Sequence, residues 1–264
     1  AVVHEAHHYA AEAISGTVYL GGDPGAPRRA VGAYVDYGTA ISAAFGALLA
    51  LMARERTGRG QEVSGSLLAT ALTISNSILI EQAISKPDRV PQGNLGFSSA
   101  PADLFKCSDG QWLIVQVVGQ PLWEKFCKML GADDWLADPR FKDDMSRSNN
   151  ARLVSERLGA WCAARSRAEV LKAFGDARIP AGPVYSPQEA LDDAHIQASG
   201  ILRDLAFPGT PSPAPVVDTP IHLSETPGAI RGRAPMPGEH TAEVLAEIGY
   251  SEADYERFRK AGVV

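Results

Sequence analysis

The chain has 264 residues, of which 45% are hydrophobic and 21% charged, the balance of an ordinary globular protein. A net charge of −6 and a pI of about 5.5 argue against a nucleic-acid or anionic-membrane surface. Cys107, Cys127 and Cys162 are odd in number and widely spaced, which excludes a disulfide framework or a cysteine metal cage and fits a reducing compartment; a cytoplasmic location is expected.

The chain opens inside a helical pattern over residues 4–15, with Gly16 as its stop. A short β-like run follows at 17–20, then a loop rich in glycine and proline at 21–30. A long apolar helix is expected from about Thr39 to Arg56. Its core, 40–53, is broken by Ser42 and rich in alanine and glycine, so it reads as a helix buried in protein and not in lipid. A strand at 62–64 and a second long helix at about 66–86 come next, the latter from apolar residues at helical spacing.

Residues 87–100 form a linker with two prolines and two glycines. Strands are expected at 103–107 and 111–118, joined by the Ser108-Asp109-Gly110 turn. Helices follow at about 121–130, 149–164 and 167–175, and the run Ile179-Pro180-Ala181-Gly182-Pro183-Val184 interrupts them. Ser186-Pro187-Gln188-Glu189 carries a capping signature for another helix. Residues 200–237 are proline-rich and strand-like, and two short helices close the chain. Trp112, Trp123, Trp135 and Trp161 fall at core-like spacing.

The residue that stands out is Asp36, a single acid expected immediately before the long helix. A carboxylate at a helix N-terminus meets unpaired backbone N–H groups and the positive end of the dipole, and can act as a fixed nucleophile or base. The plain alternative is an N-cap. His4 and His8 lie at i, i+4, the spacing of a helical metal pair, but no HExxH or third ligand completes it, and no metal is expected. Arg28-Arg29 and Arg231–Arg233 read as solvated loop charges, with phosphate contact as the alternative.

Asp36, the alanine- and glycine-rich helix after it and Thr57-Gly58-Arg59-Gly60-Gln61 together resemble the class III CoA-transferases, the family of formyl-CoA transferase and carnitine CoA-transferase. The resemblance continues through Ser99-Ala100-Pro101, Asp138-Pro139-Arg140-Phe141, 179–184, Gly238-Glu239-His240-Thr241 and Gly262-Val263-Val264. It implies an α/β fold: an incomplete large domain of helices and short strands with an inserted smaller α+β domain. Residues 1–86 would belong to the large domain, 95–183 to the small one, and 184–264 would return to the large domain. The half that carries most of the CoA surface in this family would be absent, so the chain is expected to be a fragment or one subunit of a split enzyme.

The resemblance further implies coenzyme A transfer from an acyl-CoA thioester to a small carboxylic acid through a covalent intermediate on Asp36. CoA would be a substrate, with no tightly bound cofactor. The partners implied are a second copy in an interlocked homodimer or a subunit supplying the N-terminal half, with no nucleic acid and no membrane. His7 resembles the histidine of the α-methylacyl-CoA racemases, so an acid–base pair of His7 and Asp36 stays open as an alternative, as does a non-catalytic subunit. Tyr9 and Glu12 would face the substrate, and Gly93, Asn94 and Gly96 would form a mobile loop over the site. Glu239 and His240 are expected to cap the next helix.

Overall fold

The apolar run Trp112–Val115 and the Ser108-Asp109-Gly110 turn before it lie in the principal sheet of the computed structural model, which describes residues 7–264. Strand β3 (Ala102–Lys106) pairs antiparallel with β4 (Trp112–Gln116) across the 108–110 turn, Phe105 opposite Leu113. Leu113 and Val115 point inward while Trp112 and Ile114 face out, as a period of two requires. Trp112 is thus a surface residue, in contrast to its expected place in the core. A third strand, β5 (Ala181–Pro183), adds antiparallel to β4 where sequence showed only a break. Its prolines and glycine mask a strand that is an edge, where a missing N–H costs little.

Helices α6 (Gln120–Leu130), α7 (Asp144–Asn149), α8 (Ala151–Ala163) and α9 (Arg167–Asp176) cover this sheet. Phe105, Leu113, Val115, Trp123, Phe126, Phe141, Leu158 and Phe174 form one dry core with all three cysteines, which are free. Arg147 is buried within it, bonded to Gln120 Oε1, the Phe141 carbonyl and Asp144, with its guanidinium over the Trp123 ring at 5.0 Å. Ser166 opens α9 with a reciprocal capping box to Glu169.

The residues before this module are mostly helical. α1 (His8–Ile14) ends at Ser15, and Gly16 follows in the left-handed region at φ 87°. α2 (Thr17–Leu20) is a helical turn where a strand was expected; its β-branched residues are outweighed by hydrogen bonds that close on the end of α1. A two-residue hairpin, β1 (Gly22–Asp23) and β2 (Ala26–Pro27), occupies the glycine-rich loop. Residues 62–64 form no strand, and lie along the helix before them instead: a Cβ on Gly46 would stand 2.9 Å from Val63 Cγ1.

That helix, α3, runs from Tyr34 to Thr57, starting five residues earlier than expected. Ser42, which interrupts its apolar run, donates its hydroxyl to the Gly38 carbonyl at 2.8 Å. By length and composition α3 is long and apolar enough to cross a membrane, as is the bent pair that follows it when taken together. Nor is α3 buried: Tyr37, Ile41, Phe45, Leu48 and Met52 each stand more than half exposed. The expected second helix is two, α4 (Leu67–Ile74) and α5 (Asn76–Ser85), bent by 65°. Ser75 at the bend is buried, and its hydroxyl lies within hydrogen-bond reach of the Ala71 and Ser15 carbonyls.

The chain divides into two compact units, one ending at Val184 and the other spanning Tyr185–Val264. The second unit holds α10 (Pro187–Asp192), opened by the Ser186–Glu189 capping box, then α11 (Ala194–Ser199) and the hairpin of β6 (Leu202–Leu205) with β7 (Ala214–Val217). α12 (Thr241–Glu247) and α13 (Glu252–Lys260) complete it. Glu239 does not cap α12. It turns back to accept two hydrogen bonds from Arg233 and one from the Met236 amide, and the guanidinium holds its carboxyl down at about 2.

Candidate active site

The inner stripe of α1 is His8, Ala11, Glu12 and Ser15, all buried. Its spacing is helical but three of its four members are polar. Glu12 Oε1 accepts the Ala30 amide at 3.0 Å, and Glu12 Oε2 lies 3.7 Å from His8 Nε2. The Glu12 carbonyl accepts from both Ser15 and Thr17 hydroxyls. Thr17 Oγ1 in turn lies 3.1 Å from the Tyr34 hydroxyl, and the His8 ring meets Tyr34 edge-on at 5.7 Å. Burial pushes the Tyr34 phenol upward, the Thr17 hydrogen bond opposes it, and the nearby Glu12 charge adds to the rise.

Ala11, Val35 and Ala71 form the small apolar cluster that joins α1, α3 and α4. Tyr34 and Val35 thus face inward from the first turn of α3. Asp36, the next residue, faces out: it is exposed, and no hydrogen-bond partner for it occurs among the described residues. It stands inside the first turn and not ahead of the helix. The cap position belongs to Ala33, which offers no side-chain bond.

Beside this cluster lies a polar cavity of about 430 Å³ between α1, the β1–β2 hairpin and the 93–94 turn. Glu12, Thr17, Tyr34, Arg28, Arg29, Gly93 and Asn94 line it. Arg28 pairs with Asp23 at 3.3 Å, and the Arg29 guanidinium stacks over the Tyr9 ring at 4.4 Å. The Gly93 amide donates to the Gly22 carbonyl at 2.7 Å. Its φ of 69° favours glycine, and a Cβ there would press on Asp23 Oδ1.

Three of the residues singled out by sequence, Glu12, Gly93 and Asn94, therefore meet at one cavity. Asp36, His7, Tyr9 and Gly96 are not among its lining residues. His7 is exposed at the N-cap of α1 and makes no side-chain cap bond. Tyr9 is half exposed under Arg29. Gly96 serves β3: its amide donates to the Ala102 carbonyl, and a Cβ would collide with the Ala102 side chain at 2.6 Å. His4 lies outside the described residues. Among the described residues no three His, Cys, Asp or Glu side chains converge as a metal site.

Sequence reasoning passed over Tyr34 and Thr17 altogether. It weighed His8 only as half of a metal pair. The available signal was the i, i+4 spacing of His8 and Glu12 on the same helix face as Ala11.

The fold is that of known α/β proteins. A CaiB/BaiF family protein from Brucella suis superimposes with a TM-score of 0.73 over 92% of this chain and 62% of its own, at 23% identity. A protein of Mycobacterium tuberculosis gives 0.72 over 91% and 62%, at 21% identity. In sequence, a succinyl-CoA:mesaconate CoA-transferase of Haloarcula hispanica is 30% identical over 90% of this chain and 60% of its own length. A formyl-CoA:oxalate CoA-transferase of Rhodopseudomonas palustris is 28% identical over 86% of this chain and 58% of its own. The pattern of CoA-transferase family III matches residues 3–241, and the chain belongs to that family. It spans about 60% of the length of these curated relatives.

Proposed function

We propose that this chain carries the nucleophile of a CoA transferase acting between an acyl-CoA and a small carboxylic acid, and that the nucleophile is Asp36. The observation that carries the reading is the family match across residues 3–241 together with an acid that is exposed in the first turn of α3. The relatives named above act between CoA thioesters and carboxylates.

The Asp36 carboxylate attacks the thioester carbonyl and expels CoA thiolate, leaving a mixed anhydride. The thiolate then attacks the aspartyl carbonyl, releasing the donor acid and forming an aspartyl thioester. The acceptor carboxylate displaces thiolate from that carbonyl, and the thiolate attacks the new acyl group, so that product leaves and Asp36 is restored. Dividing the transfer in this way gives each weak nucleophile an activated partner. The positive end of α3 stabilises negative charge near Asp36 throughout.

In this reading Arg29 and Asn94 offer donors to a carboxylate in the cavity, and the turn at Gly93 and Asn94 borders it. Residues 95–183 form a small domain inserted in a larger one, to which 1–86 and 184–264 belong. The exposed apolar face of α3 is covered by polypeptide matching the remaining two-fifths of the relatives' length, whether in the same chain or in a separate subunit. The protein works in the cytoplasm, in keeping with its three free, buried cysteines.

The test is hydroxylamine trapping during turnover of an acyl-CoA by the intact protein. Mass spectrometry should find a hydroxamate on Asp36, absent in Asp36→Asn, which should lose at least about a thousandfold in rate. An unmodified Asp36 under turnover rules the reading out. Exchange of the α-proton with deuterated solvent, without an acceptor and lost in His7→Ala, would instead establish the racemase chemistry.

A further inference from the structure

We infer that Glu12 is a positioning residue: its sealed carboxylate holds the Ala30 amide and so fixes the uncapped first turn of α3 on which Asp36 stands. The chemical consequence rests on the Asp36 reading; the structural half does not.

Helices usually carry their own start signal, and among the described residues six α-helices do, at Ser66, Asp143, Ser166, Ser186, Asp193 and Ser251. α3 has none. Gly32 and Ala33 precede it, and no side chain accepts its first amides. Its start is set from outside, by three contacts that all lead to α1. Val35 packs on Ala11, the Tyr34 hydroxyl reaches Thr17, and Ala30, four residues before the helix, donates to Glu12.

Glu12 is the hub. Its carbonyl takes both the Ser15 and Thr17 hydroxyls, and its Oε1 takes Ala30. Its Oε2 is out of reach of solvent and has no hydrogen-bond partner among the described residues. His8 Nε2 stands 3.7 Å from it, and the Tyr34 hydroxyl interacts with the same carboxylate. A carboxylate so enclosed, at the margin of the cavity, acts through what it holds. Burying it without partners would be costly, so the Ala30 amide and His8 are what keep it there.

Hydrogen exchange and single-turnover kinetics of the intact protein test this together. In Glu12→Ala the Ala30 amide should exchange about tenfold faster or more, because it loses a charge-assisted bond. Formation of the trapped Asp36 adduct should slow by a similar factor at saturating acyl-CoA, with KM within about twofold. Glu12→Gln keeps an acceptor oxygen for Ala30 and should restore both. Unchanged Ala30 exchange in Glu12→Ala overturns the inference. So does a Gln variant as impaired as Ala with a raised KM, which would mean that Glu12 contacts substrate. Because exchange at Ala30 needs no chemistry, a failed Asp36 reading shows itself separately, as normal exchange effects without any adduct in the unaltered protein. Should Glu12→Ala fail to fold, Tyr34→Phe removes only the hydroxyl link. It should slow formation of the adduct a few-fold at saturating acyl-CoA, and an unaltered rate overturns the inference.

Discussion

Residues 95–183 and residues 7–86 are built on opposite plans. The first region wraps four helices around a three-stranded sheet and encloses Trp123, Phe126, Phe141 and Phe174 almost completely. The second joins α1, α3 and α4 through little more than Ala11, Val35 and Ala71, and leaves the large side chains of α3 outside. One region is finished by its own residues. The other has its polar contacts inside and its apolar surface out. The difference teaches that folding information and chemistry are separated here: the proposed nucleophile belongs to the less self-sufficient region.

Substitutions that respect this division should differ sharply in cost. Trp123→Ala empties the packed module and should lose about 3–5 kcal/mol in a denaturant melt. Arg147→Ala leaves Asp144 and the Phe141 carbonyl without their buried donor and should cost about 2–3 kcal/mol. Ser166→Ala removes one half of the α9 capping box, for about 1 kcal/mol. Ile41→Ala and Phe45→Ala, made on this chain alone, should each stay within about 0.5 kcal/mol, since both side chains already face solvent. The same two changes in the intact protein should cost as much as core substitutions if α3 is covered there; equal, negligible costs in both settings would remove the case for a covering segment.

Thiol labelling separates the regions without mutation. All three cysteines belong to the packed module, and burial pushes Cys127 and Cys162 up to about 12. Below that value they remain neutral thiols, and the thiolate is the reactive form. At about pH 8 iodoacetamide should therefore label neither in the native state, and labelling should begin only as the module opens. Rapid native labelling would show that the module is looser than its packing indicates.

The same contrast explains what could be read in advance. β3, β4, α6, α8 and α9 follow ordinary periodicity, capping and turn chemistry, so their positions were legible, whereas the short, polar α7 was not expected. Ser186 and Ser251 announced their helices for the same reason. Between residues 8 and 86 local signals were weaker than tertiary ones. Thr17–Leu20 carries β-formers yet turns helically against α1, and Ser75 bends one apolar helix into two by reaching the end of α1. The candidate site suffered most. The inward stripe of α1 is largely polar, so a search for apolar periodicity passes over it, and His7 drew attention in place of the buried His8. Asp36 was found because it sits in a long pattern, and its true place in the first turn depends on contacts that no local spacing encodes.

The turn at Gly93 and Asn94 does more than close one chamber. A second polar hollow, of about 460 Å³, lies on its far side, and Asp23, Gly93 and Asn94 border both. The partition between them is a single peptide turn tied by one amide to the hairpin opposite. That thin wall is accordingly common to two chambers, and a change of one residue in its length would alter both at once.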